Sequence, residues 1–150
     1  AIMYFLMSYR TNQILIPSFL ISIGIGLGMN LHFYPQLLPY QANSQVGKWI
    51  AENGIPEDKF FGFSTGGRAL DFYAGGVVPW IQNVESAISA IDSGTIVYAS
   101  ESQYQDLINH GAKPLKAISF GNFQVQKLSI QFLNPTSREA VLKKNYLLFY

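Results

Sequence analysis

At residues 59–74 the chain reads KFFGFSTGGRALDFYA, and this passage decides the fold class. KFFGFS is short and dominated by phenylalanine, which is how a buried strand reads. Ser64-Thr65-Gly66-Gly67-Arg68 breaks the run with two glycines, and Ala69-Leu70-Asp71-Phe72-Tyr73-Ala74 follows as a helical turn closed by Gly75-Gly76. Strand, glycine loop and helix in that order make half of a βαβ unit.

The same rhythm continues outward. Val77-Val78-Pro79-Trp80-Ile81 is the next apolar stretch, and Pro79 assigns it to a sheet edge or a strand end. Asn83 caps a helix through Ile91, stopped at Ser93-Gly94. Thr95-Ile96-Val97-Tyr98-Ala99 is the clearest strand, and Ser102 caps a helix from Gln103 to Asn109 that ends at His110-Gly111. The alternation predicts an α/β fold, a three-layer sandwich with a largely parallel sheet. Beyond Gly111 the pattern changes. Residues 116–120, then Gly121-Asn122, then Phe123 onward predict a C-terminal antiparallel hairpin turning on the Gly-Asn pair. Apolar residues shift from odd to even positions between Val125 and Leu128, which predicts a bulge near Gln126-Lys127. Pro135-Thr136-Ser137 opens a helical turn to Leu142, and residues 145–150 form a last strand. On the N-terminal side, Ser44 caps a helix over 45–52 with Val46, Trp49 and Ile50 on one face and Asn53-Gly54 as its stop.

Residues 14–34, ILIPSFLISIGIGLGMNLHFY, contain no charge. About 20 apolar helical residues cross the roughly 30 Å hydrocarbon core of a bilayer, so this stretch reads as a transmembrane helix. Pro17, Gly24, Gly26 and Gly28 are tolerated in such helices, and Gly24 and Gly28 have the small-xxx-small spacing. The Tyr, Phe and Pro residues between His32 and Tyr40 read as an interfacial belt. AIMYFLM at 1–7 reads as the end of a preceding span and SYRTNQ at 8–13 as a loop, whose Arg10 places it in the cytoplasm and the following domain outside. The expected division is a membrane segment over 1–40, including the last transmembrane helix at 14–34, and an extracytoplasmic α/β domain over 41–150. The competing reading is a wholly soluble α/β enzyme with 14–34 in its core.

The composition follows the same division. The chain has 150 residues, 49% hydrophobic and only 13% charged, against about 25% charged in ordinary soluble domains. Arg10 is the sole formal charge in the first 40 residues. A net charge of +1, with Lys143-Lys144 as the only adjacent basic pair, gives no electrostatic footprint for nucleic acid. Without cysteine there is no disulfide framework, thiolate metal site or cysteine nucleophile. His32 and His110 stand apart without metal-ligand spacing, and no metal or cofactor is expected.

Ser64, Thr65, Gly66, Gly67 and Arg68 form the best local candidate for a binding site. Glycines after a strand let backbone N–H groups face an anion, and the Arg68 guanidinium adds a charged fork for phosphate or carboxylate. The loop matches neither the Walker pattern nor the dinucleotide fingerprint. Its alternative reading is a plain strand-to-helix turn in which Arg68 pairs with Asp71 or another carboxylate. Tyr73, with Phe60, Phe61, Phe63, Phe72 and Trp80, either lines a sugar or lipid groove or fills the core. Glu57, Asp58, Asp71, Glu85, Asp92, Glu101 and Asp106 fall mostly at caps and turns, so no catalytic residue is assigned.

Three passages carry a family likeness: YQANSQVGKWIAE at 40–52, FFGFSTGGRALDFY at 60–73, and residues 131–150 with their FLNP. Together with the preceding span they resemble, over nearly the whole chain, the C-terminal region of polyprenol-dependent membrane glycosyltransferases, the protein O-mannosyltransferase and aminoarabinose transferase-like family. That resemblance implies transfer of a sugar from a polyprenyl phosphate carrier to a lipid or protein acceptor, at the outer face of a bacterial inner membrane. It also implies that the catalytic acid lies in an early loop outside this chain. The domain over 41–150 would then be a periplasmic accessory domain, with membrane lipid, the upstream transmembrane part and the polyprenyl-phosphate sugar donor as its partners. A non-enzymatic, membrane-anchored ligand-binding or interaction domain is the alternative.

Overall fold

The computed structural model describes residues 12–123 and 130–150. The expected end of a preceding span at 1–7, most of the loop with Arg10, and the expected bulge at Gln126-Lys127 lie outside the described residues. The chain divides into two compact units, one ending at Leu38 and the other Pro39–Tyr150.

In the first unit, α1 (Asn12–Gly28) leads through a wide π turn (Met29–Phe33) into α2 (Tyr34–Leu37). The π turn immediately precedes Pro35, whose ring would meet the carbonyl four residues back in a regular α-helix. The wider turn removes that conflict, so helical structure continues past Tyr34, the expected end of the transmembrane helix. Ile14–Tyr40 is a 27-residue stretch long and apolar enough to cross a membrane, and none of its most apolar window is buried within the chain. Ile14, Phe19, Ile21 and Ile25 are exposed. Its polar side chains are satisfied within the helix: Ser18 donates to Ile14 O (2.8 Å), Ser22 to Ser18 O (2.9 Å) and Asn30 to Gly26 O (2.8 Å). Such self-satisfaction removes the need for water around those groups.

The second unit is built on five strands: β1 (Phe60–Phe63), β2 (Trp80–Ile81), β3 (Ile96–Ser100), β4 (Lys116–Asn122) and β5 (Lys143–Phe149). Their order is β2-β1-β3-β5-β4. β1 runs parallel to both β2 and β3, whereas β5 lies antiparallel between β3 and β4. The sheet is therefore mixed, not largely parallel. β5 follows β4 without a crossover helix over the sheet, so it returns antiparallel, and it does so in the middle of the sheet. The expected hairpin turn at Gly121-Asn122 is not formed: both residues continue β4, opposite Lys144 and Lys143. Gly121 answers a different need, since a Cβ there would lie 3.2 Å from Leu142 Cδ1 and 3.5 Å from Tyr40 Cδ1. The segment expected to be the second strand of that hairpin contains the helical turn α7 (Ile130–Leu133).

Helices cover both faces. α3 (Ala42–Asn53) and α4 (Arg68–Ala74) pack on one, where Val46, Ile50 and Leu70 meet Phe60, Ile96, Tyr98 and Leu147. α5 (Val84–Ala90) and α6 (Glu101–Asn109) pack on the other, where Ala87 and Leu107 meet Phe61, Phe63, Val97, Ala99 and Leu148. Alternate residues of β1, β3 and β5 thus feed opposite cores, as the period of two demands. α3 begins at Ala42, so Ser44 sits inside its first turn and not at the cap; Gln41 occupies the cap position. Gly47 brings α3 against α4, for a Cβ there would lie 2.8 Å from Leu70 O. Asn83 caps α5 as expected, accepting from Glu85 N (2.7 Å) and Ser86 N (3.2 Å).

Gly62 is the tightest point of the sheet. A Cβ on it would fall 2.1 Å from the carbonyl oxygen of Thr65, because the chain leaving β1 folds back over the strand. Gly62→Ala should destabilise the domain by roughly 3 kcal/mol, the upper range for overpacking a rigid site. Urea unfolding followed by circular dichroism checks this, with Gly24→Ala, where the added Cβ meets nothing within 4 Å, as the neutral control.

Candidate functional site

Ser64, Thr65, Gly66, Gly67 and Arg68 line one side of an open cleft, and Asp71, Val77, Val78 and Trp80 line the rest. The cleft has about 390 Å³ of space, within the usual range of small-ligand sites. It lies between the loop that leaves the C-terminal end of β1 and the segment that enters β2. β1 sends its helix toward β2 and β3 sends its own toward β4, so the sheet's connections diverge between β1 and β3, whereas the cleft is lined from the β1–β2 side and α4.

Backbone geometry shapes the loop. Ser64 is the only non-glycine with positive φ (45°) among the described residues, and Gly67 has φ of 141°, a conformation other residues rarely adopt. The Ser64 hydroxyl donates to Gln82 O (3.3 Å), and no imidazole or carboxylate contacts it among the described residues. Ser64 therefore lacks the neighbouring base that nucleophilic serine chemistry requires. Thr65 Oγ1 donates to Gln103 Oε1, and Gln103 Nε2 donates to Ser64 O (3.1 Å). Gln103 also accepts from Ser100 N (2.9 Å), completing a capping box at the start of α6. Ser100, not Ser102, is thus the cap, and its partner Gln103 ties the end of β3 to the end of β1.

A second bridge comes from inside the domain. Asn145 Nδ2 donates to the Tyr98 hydroxyl (2.6 Å), which donates to Asn43 Oδ1 (2.7 Å), while Asn43 Nδ2 donates to Gly66 O (2.9 Å). Tyr98 and Asn145 are buried. The chain of bonds joins β5, β3 and α3 to the glycine loop, so the loop is held from the core.

Arg68 makes no ion pair among the described residues. Asp71 is engaged elsewhere, accepting from Val78 N (3.0 Å), so the expected Arg68–Asp71 pair is absent. Tyr73 lies apart from the cleft: its Cβ faces Gly47 and Lys48 Nζ sits 4.9 Å over its ring. Of the aromatics, Phe60, Phe61 and Phe63 are core, whereas Phe72 is 78% and Trp80 61% exposed. Among the carboxylates, Asp92 accepts from Thr95 and pairs with Lys59 (3.1 Å), bonds that in that order hold its pKa below the ordinary value, and Glu101 accepts from Tyr146 (2.6 Å). Among the described residues no cluster could hold a metal ion. No family model, curated protein or solved structure matches the chain.

Sequence reading offered Trp80 only within an aromatic set that either lines a groove or fills the core, and it missed Asn43, Tyr98, Asn145 and Gln103 as supports. Only Gln103 left a local signal, the Ser100-x-x-Gln103 spacing of a capping box.

Burial pushes the Tyr98 hydroxyl up to about 12. The fold thus prefers the neutral phenol. Its contribution is complete below pH 10, where an unfolded tyrosine begins to ionise, and is lost as pH rises through about 12. Tyr98→Phe should cost about 1–3 kcal/mol at neutral pH by leaving Asn145 and Asn43 unpaired, and should flatten the loss of stability between pH 10 and 12. Tyr146, raised to about 12 by its bond to Glu101, and Tyr150, raised to about 12 by burial, supply the remaining decline. Urea midpoints from pH 7 to 12 measure both effects.

Proposed function

We propose that the chain is the C-terminal part of a polyprenol-phosphate-dependent membrane glycosyltransferase, with the unit from Pro39 onward as its periplasmic accessory domain. The carrying observation is the 27-residue apolar stretch Ile14–Tyr40, which leads into an α/β unit and whose most apolar window is unburied, with Ile14, Phe19, Ile21 and Ile25 exposed. A bilayer is the solvent that fits such a surface. On this reading the catalytic groups lie on the upstream part of the protein.

The position of the cleft supports an accessory role. Tyr40, where the domain begins, accepts at its carbonyl from Phe123 N (2.8 Å), just beyond the end of β4. That end of β4 is at the same sheet edge as the C-terminal ends of β1 and β3, since β5 is antiparallel to both β3 and β4. Chain entry and the loop at 64–68 therefore lie at one end of the sheet, and a membrane-borne sugar donor or acceptor is the ligand class that the transferase reading implies.

Two measurements test this reading. The gene should encode further transmembrane spans and an acidic first loop upstream; a single-span gene would contradict the transferase. The chain has no cysteine, so Ser86→Cys, on the exposed side of α5, gives a unique thiol. In whole bacteria it should react with a membrane-impermeant maleimide without lysis. Labelling only after lysis would place the domain on the cytoplasmic side.

A further inference from the structure

The cleft carries chemistry more specific than a general ligand site, and we propose that it binds a pyranose ring bearing an anionic substituent, with Trp80 under the ring and Arg68 on the charge. The inference deepens the transferase reading and rests on it for the ligand's source, but the site itself is argued from the cleft. Trp80 pairs in register with Gly62, on the sheet face that carries α3 and α4. Because Gly62 has no side chain, the indole stands beside the loop that folds over that strand, and it is 61% exposed. A large ring left in water at the wall of a cleft costs hydration free energy unless something covers it. The apolar C–H face of a pyranose is the flat surface that an indole takes, while its rim of hydroxyls needs polar partners.

Polar residues line the same cleft: Ser64, Thr65, Gly66, Gly67 and Asp71, with the Ser64 and Thr65 hydroxyls donating to Gln82 and Gln103 and keeping lone pairs to accept. Asp71 Oδ1 is committed to Val78 N, which fixes the carboxylate. Arg68 adds the one positive charge of the wall, and no carboxylate among the described residues neutralises it. α4 spans only seven residues, so preference for an anion rests on this guanidinium and its planar fork, not on the helix terminus. A neutral sugar would leave that fork unused, whereas a bare phosphate would leave Trp80 uncovered.

The test uses the full chain in a polyoxyethylene-ether detergent, whose headgroup is not a sugar. Trp49→Phe leaves Trp80 as the only tryptophan of the two. Hexose 1-phosphates, the parent hexoses and inorganic phosphate are titrated while Trp80 emission is followed, with calorimetry for variants lacking Trp80. A hexose 1-phosphate should give a saturable change, its parent hexose a weaker one, and inorganic phosphate none. Arg68→Gln should weaken the hexose 1-phosphate about tenfold, to the level of the hexose, equivalent to about 1.4 kcal/mol, and leave the hexose unaffected. Trp80→Ala should abolish both. If circular dichroism shows that variant unfolded, Trp80→Phe should retain weakened binding. No saturable response up to roughly 10 mM, or unaltered binding in a folded Trp80→Ala chain, would overturn the proposal. Tighter binding of a polyprenyl phosphohexose in phosphatidylcholine vesicles than of free hexose 1-phosphate would support it with a lipid source; equal affinities would support it with a soluble one. Saturable binding by a chain encoded with a single span would preserve the site and sink the transferase reading. A polytopic gene with an inert cleft would do the reverse.

Discussion

One phenolic hydroxyl, that of Tyr98, links the parts of this domain that must stay in register. It accepts from Asn145 on β5 and donates to Asn43 on α3, and Asn43 in turn holds the carbonyl of Gly66. Buried polar groups are costly when unpaired and rigidifying when every member is satisfied. The network therefore couples a strand pairing that local pattern does not specify, β3 with β5, to the loop that walls the cleft. Gln103 performs the matching task at the surface, tying the end of β3 to Ser64 and Thr65.

The half of the sheet that alternates with helices was legible in the sequence. β1, β2 and β3, and the helices after β1 and β2, fall close to where periodicity and caps place them, because each is signalled by local chemistry: phenylalanines before two glycines, Pro79 at an edge, Asn83 at a cap. The mixed half was not. Gly121-Asn122 carries the residues of a tight turn, yet Gly121 is needed for the approach of Tyr40 and Leu142. That requirement comes from residues far away in sequence. The insertion of β5 between β3 and β4 is likewise a long-range choice, visible only as the burial of Asn145, Leu147 and Leu148.

The loop at 64–68 was readable as a unit, since glycines after a strand announce an unusual backbone, and Ser64 and Gly67 have it. Its surroundings were not, because Trp80 reaches the cleft through the β1–β2 register and Asn43 through helix packing. Exposure separated the aromatics into core phenylalanines and a cleft-side tryptophan, a division composition alone cannot make. The apolar stretch before the domain was the plainest feature of all. It gives the protein an apolar helix long enough to cross a bilayer.

The dependence of the cleft on the Tyr98 network is the central physical claim, and hydrogen exchange of the full chain in detergent tests it most directly. In Asn43→Ala, which removes the link to Gly66 while leaving the Tyr98–Asn145 bond, amides of residues 64–68 should exchange markedly faster while those of β3 and β5 keep their protection. Unchanged exchange at 64–68 in a folded variant would contradict the claim that this network holds the cleft.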